Sequence, residues 1–159
     1  MGKVLDSFLH LFPGAVSRTA DEIVISLKNA GNGAIYPGTA VFLAADGGVT
    51  AVRPGSTFDE FVGIAVRIPS HTPETYGANI APYGVNDPVD ILVRGCVAVA
   101  IENANTVIGG EVHLNLSDGT YAVEEEEDVT IQLENCSWRR SGTSADHCAE
   151  IVIRERNLV

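Results

Sequence analysis

Two segments of the sequence share one pattern, and this pattern constrains the fold. Residues 38–47 and 110–119 each begin with Gly, continue with an apolar residue at every second position and end in Asp-Gly. The alternating apolar positions are Ala40, Phe42, Ala44, Val112, Leu114 and Leu116. Alternation of period two is typical of a β-strand with one buried face, and Asp-Gly favours a tight turn because both residues accept positive φ. The pattern predicts two β-hairpins, around which we expect the rest of the chain to be organised.

Other apolar segments predict strands on both sides of these hairpins. They lie at residues 22–28, 61–67, 89–100, 129–138 and 148–154. Residues 61–67 are apolar almost without interruption, which indicates a strand that is covered on both faces. Gly95 interrupts the strand at 89–100, where a bulge or sharp bend is expected. We therefore predict an all-β fold, a compact β-barrel or β-sandwich of short antiparallel strands that ends in a C-terminal β-hairpin at 129–154.

The N-terminal residues form an apolar arm. Residues 3–12 place apolar side chains at helical spacing, and Pro13-Gly14 ends the stripe. These side chains are Val4, Leu5, Phe8, Leu9 and Phe12. The arm carries too much apolar surface to remain in water, so we expect it to pack either on its own domain or on a neighbouring subunit. The predicted organisation is an arm at 1–21 and a single β-domain at 22–159.

A long segment with little periodicity separates two of the predicted strands. Residues 68–88 contain four prolines, and residues 72–77 are typical of an exposed loop. A loop of this length inside a compact domain is often functional, although a surface excursion without a special role would have the same composition. Thr72 and Tyr76 therefore join the five apolar arm residues as candidate partner-binding residues.

Charge excludes two classes of partner. The chain has 21 acidic and 10 basic residues, a net charge of −11, which argues against nucleic acid and against an anionic membrane surface. The acidic run at 124–128 predicts a solvated loop, since it lacks the spaced ligands and the Gly of a calcium loop.

The three cysteines, an odd number, indicate a reducing compartment. A hairpin centred on Gly142 would place Cys136 opposite Cys148, where a bond is conceivable and two free thiols are the alternative.

The sequence nominates no catalytic, cofactor-binding or metal-binding residue. It has no Gly-rich phosphate loop followed by Lys and no Gly-x-Ser-x-Gly elbow. Zinc sites need clustered Cys or His, whereas His10, His71 and His113 are isolated in the sequence. The one close pair, His147 and Cys148, is adjacent in sequence, and neighbours on a strand point to opposite faces. These observations favour a structural or binding role over an enzyme.

The succession of turns and strands resembles a known family. Residues 36–49, 61–65, 93–97 and 108–119 follow the order Gly-x-x-Val, Gly-Val/Ile-Ala, Val-x-Gly-x-Val, Gly-x-x-Val and Asp-Gly. This order is similar to that of the small capsid cement, or decoration, proteins of tailed bacteriophages, and the resemblance covers about residues 30–123. The insert at 68–88 and the C-terminal hairpin depart from the family pattern.

The resemblance implies a small β-barrel and a non-catalytic virion protein without a cofactor. It further implies a homotrimer that is made in the host cytoplasm and bound to the major capsid protein on the capsid exterior. Two other classes remain open. A receptor- or carbohydrate-binding module of a virus tail would favour exposed aromatics, whereas this chain has one Trp and four scattered Tyr. A trimeric β-fold nucleotide hydrolase would need an acidic and Ser/Gly constellation that we do not find.

Overall fold

The computed structural model describes residues 13–67, 81–101, 105–140 and 148–157, with residues 17–20 as backbone only. The described residues form nine strands and one short 3₁₀ turn at Phe58–Glu60. The strands are β1 (Val16–Lys28), β2 (Ala40–Leu43), β3 (Val49–Ala51), β4 (Phe61–Ala65), β5 (Pro88–Ala100), β6 (Glu111–Asn115), β7 (Tyr121–Ala122), β8 (Thr130–Trp138) and β9 (Cys148–Ile153). All pairings between these strands are antiparallel. The predicted all-β class is confirmed.

Both predicted Asp-Gly hairpins are present, as β2–β3 and β6–β7. The Asp46 carboxylate accepts a hydrogen bond of 3.0 Å from the Gly48 N–H, and the Asp118 carboxylate accepts one of 2.9 Å from the Thr120 N–H. These backbone donors lower the pKa of both carboxyl groups, because they stabilise the charged form. The Asp side chains therefore help to close the turns that the sequence predicts.

The long strand β5 divides the sheet into two halves. β1 pairs with β5 from Pro88 to Val97, β4 pairs with Ile91 and Leu92, and β9 pairs with residues 95–100. The strand order is β3-β2-β4-β5 in one half and β5-β9-β8-β6-β7 in the other. The irregularity expected at Gly95 is observed, but the extra residues are in β1: Arg18 pairs with Cys96 and Ile23 with Arg94, so residues 19–22 lie opposite Gly95 alone.

Two hydrophobic cores occupy the two faces of the first half of the sheet. The larger core lies between the halves and includes Phe42, Leu92 and Trp138, whereas the smaller one includes Val41 and Ile91. Neighbouring residues of one strand thus reach different cores. The prediction of a single buried face is wrong for β2, because Ile35, Tyr83 and part of β1 cover its other face. It is also wrong for β6, where His113 is buried.

The predicted loop at 68–88 ends earlier than its composition suggests. Residues 68–80 lie outside the described part of the chain. Tyr83 is buried, forms a β-bridge with Ile35 and donates a hydrogen bond from its hydroxyl to the Val66 carbonyl oxygen. Pro88 is already the first residue of β5. Strand β1 also begins earlier than expected, at Val16. The acidic run at 124–128 is exposed, as predicted.

The C-terminal hairpin is present with a different register from the one that the sequence suggests. Cys136 pairs with Ile153, and Cys148 pairs with Ala100 of β5. The two cysteines are not opposite each other, and both are free thiols. The reason is that β9 pairs with β5 as well as with β8 and buries Ile151 and Ile153 in the large core, which fixes its register independently of the turn.

Candidate interaction surface

The seven residues that the sequence nominates lie outside the described part of the chain. They are Val4, Leu5, Phe8, Leu9, Phe12, Thr72 and Tyr76. The structure instead shows where the arm and the loop that carry them join the sheet. The described chain starts at Pro13, and Arg67 is the last described residue before the loop.

The arm and the loop join the sheet at one place. The Arg67 N–H donates a hydrogen bond of 2.9 Å to the Gly14 carbonyl oxygen, and the Gly14 N–H donates one of 2.9 Å to the Ala98 carbonyl oxygen. The Ala98 N–H in turn donates to the Ala15 carbonyl oxygen at 3.0 Å. Residue 68 directly follows Arg67 of this network, and only Pro13 separates residue 12 from Gly14, so the two segments start from neighbouring points of the sheet.

Two Pro-Gly pairs pack tightly at this attachment point. A Cβ added to Gly14 would lie 2.4 Å from Pro37 Cβ, and one added to Gly38 would lie 2.9 Å from Pro13 Cβ. Gly14 also has a φ of +79°, which a residue with a side chain adopts only with strain. The contact therefore requires glycine, and it holds the start of the arm against the entry to β2. We call residues 13–15 the arm root.

A second exposed feature is the turn at residues 107–110. The Gly110 N–H donates a hydrogen bond of 2.9 Å to the Val107 carbonyl oxygen, and Gly109 has a φ of +81° at the third position, as a type II turn requires. Val107 and Ile108 are 63% and 65% exposed, the highest values among the exposed large hydrophobic side chains that the structure describes. We call these two residues the apolar tip.

Two arginines lie beside the apolar tip. The Thr106 hydroxyl donates a hydrogen bond of 2.9 Å to the Arg140 carbonyl oxygen, and the Gly109 N–H donates one of 2.7 Å to the carbonyl oxygen of Trp138, next to Arg139. Both arginines are exposed. The seven residues predicted from the sequence to bind a partner do not include this surface, although a Gly-Gly pair after two β-branched residues is itself a turn signal.

The remaining surface offers shallow clefts. One, of about 320 Å³, is lined by residues 30–34 and 50–53. Another, of about 370 Å³, lies between residues 54–55, 116–117 and 128–129. Among the described residues, no three His, Cys, Asp or Glu side chains are grouped so that they could hold a metal ion. No helix within these residues has the length and hydropathy needed to cross a membrane.

Three ion pairs of the described surface are solvated. Lys28 with Asp46, Arg53 with Glu60 and Arg94 with Asp21 have N–O distances of 3.5, 3.6 and 2.9 Å, and all six side chains are substantially exposed. Pairs of this kind contribute little to stability. Among the described residues, the apolar tip is therefore the feature of this surface that is best suited to contact with another protein, and the arm root marks where the arm joins the sheet.

Comparison with known proteins extends the resemblance to nearly the whole chain. The model of a family described as "Structural cement protein (E217 gp24/Pam3 gp6)" matches residues 5–154, which includes most of the arm, the insert and the C-terminal hairpin. A chain in the solved structure "The capsid of Myoviridae Phage XM1" has the same fold, with a TM-score of 0.74 at 16% identity over 97% of this chain and 96% of that one. No curated protein matches the sequence.

Proposed function

The chain belongs to the family of phage structural cement proteins, and from this premise we propose that it binds the outer face of an assembled capsid through the major capsid protein. It is a non-catalytic structural protein that stabilises the capsid. The observation that carries this conclusion is the family match over residues 5–154. Because the family is one of structural cement proteins, membership argues against a nucleotide hydrolase, and it favours a role on the capsid over a receptor-binding role.

The action of such a protein is thermodynamic. A protein that binds the assembled shell and not its free subunits stabilises the assembled state by mass action. The gain is about 2.7 kcal/mol per site when the free protein is at about 100 times its dissociation constant. Many sites on one shell add to each other, so weak individual binding is sufficient.

The arm and the loop supply the contact area in this proposal. Val4, Leu5, Phe8, Leu9 and Phe12 of the arm, with Thr72 and Tyr76 of the loop, contact the capsid protein or a neighbouring copy. Their common attachment at Gly14 and Arg67 supports this role, because both segments can then reach one interface. Extended segments bury much area for few residues, and a standard interface needs about 800 Å² from each partner.

The copies act as homotrimers on the capsid exterior. Trimerisation joins three weak contacts into one event and raises the overall affinity without any new type of contact. The net charge of −11 fits an exterior position, since like-charged surfaces keep a densely coated particle soluble.

Electron cryomicroscopy of reconstituted shells tests the location. Purified protein is incubated with expanded shells that lack it, the shells are pelleted, and the pelleted particles are imaged. We expect new density on the outer surface with local threefold symmetry, and a solution mass of three times 16.8 kDa by light scattering. Density on the inner surface, or protein that stays in the supernatant, would refute the proposal.

A further inference from the structure

The apolar tip is more exposed than folding requires. Single exposed apolar side chains are normal on soluble proteins, but Val107 and Ile108 are consecutive, and each exposes more than 60% of its surface. Exposed apolar positions with polar surroundings mark contact sites. The two side chains belong to neither hydrophobic core of the domain, so only contact with another molecule would bury them.

The turn that carries the tip is held rigidly. The backbone of Trp138, whose side chain is buried, makes two hydrogen bonds to this turn. The Trp138 carbonyl oxygen accepts one of 2.7 Å from the Gly109 N–H, and the Trp138 N–H donates one of 3.0 Å to the Gly110 carbonyl oxygen. A Cβ on Gly110 would lie 3.0 Å from the Val107 carbonyl oxygen. Val and Ile also have few side-chain rotamers. Little conformational entropy is therefore lost when this tip binds.

The charge beside the tip is opposite to that of the whole chain. Arg139 and Arg140 are consecutive and exposed, and neither forms an ion pair with an acidic side chain in the described residues, whereas Arg53 and Arg94 do. Glu111, which follows the turn, lies with its carboxylate 3.5 Å from His113 Nε2. Two exposed arginines thus follow the strand that holds the tip, and a guanidinium group is suited to pair with a carboxylate of a partner.

The tip and the arm root lie within one interface-sized area. The Gly14 N–H bonds to Ala98, Ala98 pairs with Glu150, and the Glu150 carbonyl oxygen accepts from the Arg139 N–H at 2.8 Å. These three steps end at Arg139, and the hydrogen bond from the Gly109 N–H to the Trp138 carbonyl oxygen adds a fourth step to the turn that carries the tip. Neighbouring strands are about 4.8 Å apart, so the four steps span about 20 Å. A patch of about 800 Å² is wide enough to contain both features.

From these observations, we infer that Val107, Ile108, Arg139 and Arg140 form a second contact with the capsid shell, next to the arm root. The complementary surface on the capsid protein is an apolar pocket bordered by Asp or Glu side chains. This inference rests on the proposed function and adds to it a defined contact and the chemistry of the partner. Residues that carry most of the binding energy at an interface are enriched in Arg and lie in well-packed, desolvated pockets near the centre of the contact.

Shell binding by surface variants tests the inference. Ile108→Asp is compared with Val85→Asp, which changes another aliphatic side chain that is 48% exposed. We expect Ile108→Asp to weaken co-sedimentation with shells by at least about tenfold, as an anchor residue would, and Val85→Asp to leave it within about twofold. The double variant Val107→Ser/Ile108→Ser should weaken binding in the same direction, so that the result does not depend on an introduced charge. Melting temperatures of all variants verify folding.

The charged part of the contact is tested separately. Arg139→Glu with Arg140→Glu should weaken binding about tenfold and should reduce its dependence on salt between about 0.05 and 0.5 M. Arg156→Glu, an exposed charge reversal near the C-terminus, is the control. If the wild-type protein binds shells and the tip and arginine variants bind as well as it does, the inference is overturned and the proposed function stands. If the wild-type protein does not bind shells, both the inferred contact and the proposed function are refuted.

Discussion

The phenolic hydroxyl of Tyr121 donates a hydrogen bond of 2.7 Å to the carbonyl oxygen of Gly38. Tyr121 begins β7 at the end of one half of the sheet, whereas Gly38 leads into β2 of the other half. The bond therefore joins the two halves across the large core. Gly38 also packs on Pro13, so the same contact supports the arm root.

Tyr121→Phe should destabilise the domain. The substitution leaves the buried Gly38 carbonyl without the donated hydrogen bond, and a loss of this kind costs about 1–2 kcal/mol. Urea denaturation should show this decrease in the free energy of unfolding, with an unchanged m-value. A variant as stable as the wild type would mean that the bond does not hold the halves together.

Stability should decrease at alkaline pH because of two buried phenols. Burial raises the pKa of Tyr121 well above its usual value, and burial, with the nearby Asp90 carboxylate, raises the pKa of Tyr83 to about 12. Both phenols ionise near pH 10 in the unfolded chain. Their contribution is therefore constant below about pH 10 and is lost as the pH rises from there towards 12. Denaturation at stepwise pH should show this decline, with a smaller slope for Tyr83→Phe; an equal slope for both proteins would contradict the assignment.

Gly14→Ala should be much more damaging than Gly47→Ala. Both glycines have positive φ, but an added Cβ at Gly14 would lie 2.4 Å from Pro37 Cβ, whereas Gly47 has no atom within 4 Å of that position. We expect a loss of about 1 kcal/mol for Gly47→Ala from backbone strain, and at least about 2 kcal/mol for Gly14→Ala. Equal losses, measured by urea denaturation, would show that the Pro-Gly contact is not tight.

Deletion of residues 1–12 should separate folding from binding. The arm root stays, because Gly14 and Ala15 make the hydrogen bonds to the sheet, and so we expect an unchanged melting temperature. Shell binding should weaken, and Phe8→Asp with Phe12→Asp should reproduce this effect in the full chain. If the deletion unfolds the domain, the arm packs on its own domain; if it binds shells normally, the arm has no role in attachment.

The sequence was sufficient for features that are encoded locally. The two hairpins depend on Asp46, Asp118 and their apolar alternation, all within ten residues of each turn. The number of buried faces could not be predicted, since the burial of Val41 depends on Ile35 and Tyr83, which pair from distant positions. Period two shows which residues share a face, but not what covers it.

The register of the C-terminal hairpin and the arrangement of residues on the surface could not be predicted for the same reason, because both depend on pairing between distant segments. Cys136 pairs with Ile153 because β9 is also bound to β5, and no turn residue encodes that second pairing. The turn at 107–110 has a local signal, but its position beside Arg140 results from a contact over 34 residues. The contact residues proposed for the arm and loop remain predictions from the sequence.

Heat-induced genome release from filled capsids tests the capsid-stabilising role most directly. Capsids that lack the protein are titrated with it and heated with a DNA-binding dye, so that the release temperature is read from fluorescence. We predict that the release temperature rises with bound protein and is constant once all sites are filled, while Phe8→Asp/Phe12→Asp protein produces no rise. Wild-type protein that sediments with the capsids but leaves the release temperature unchanged would contradict this prediction.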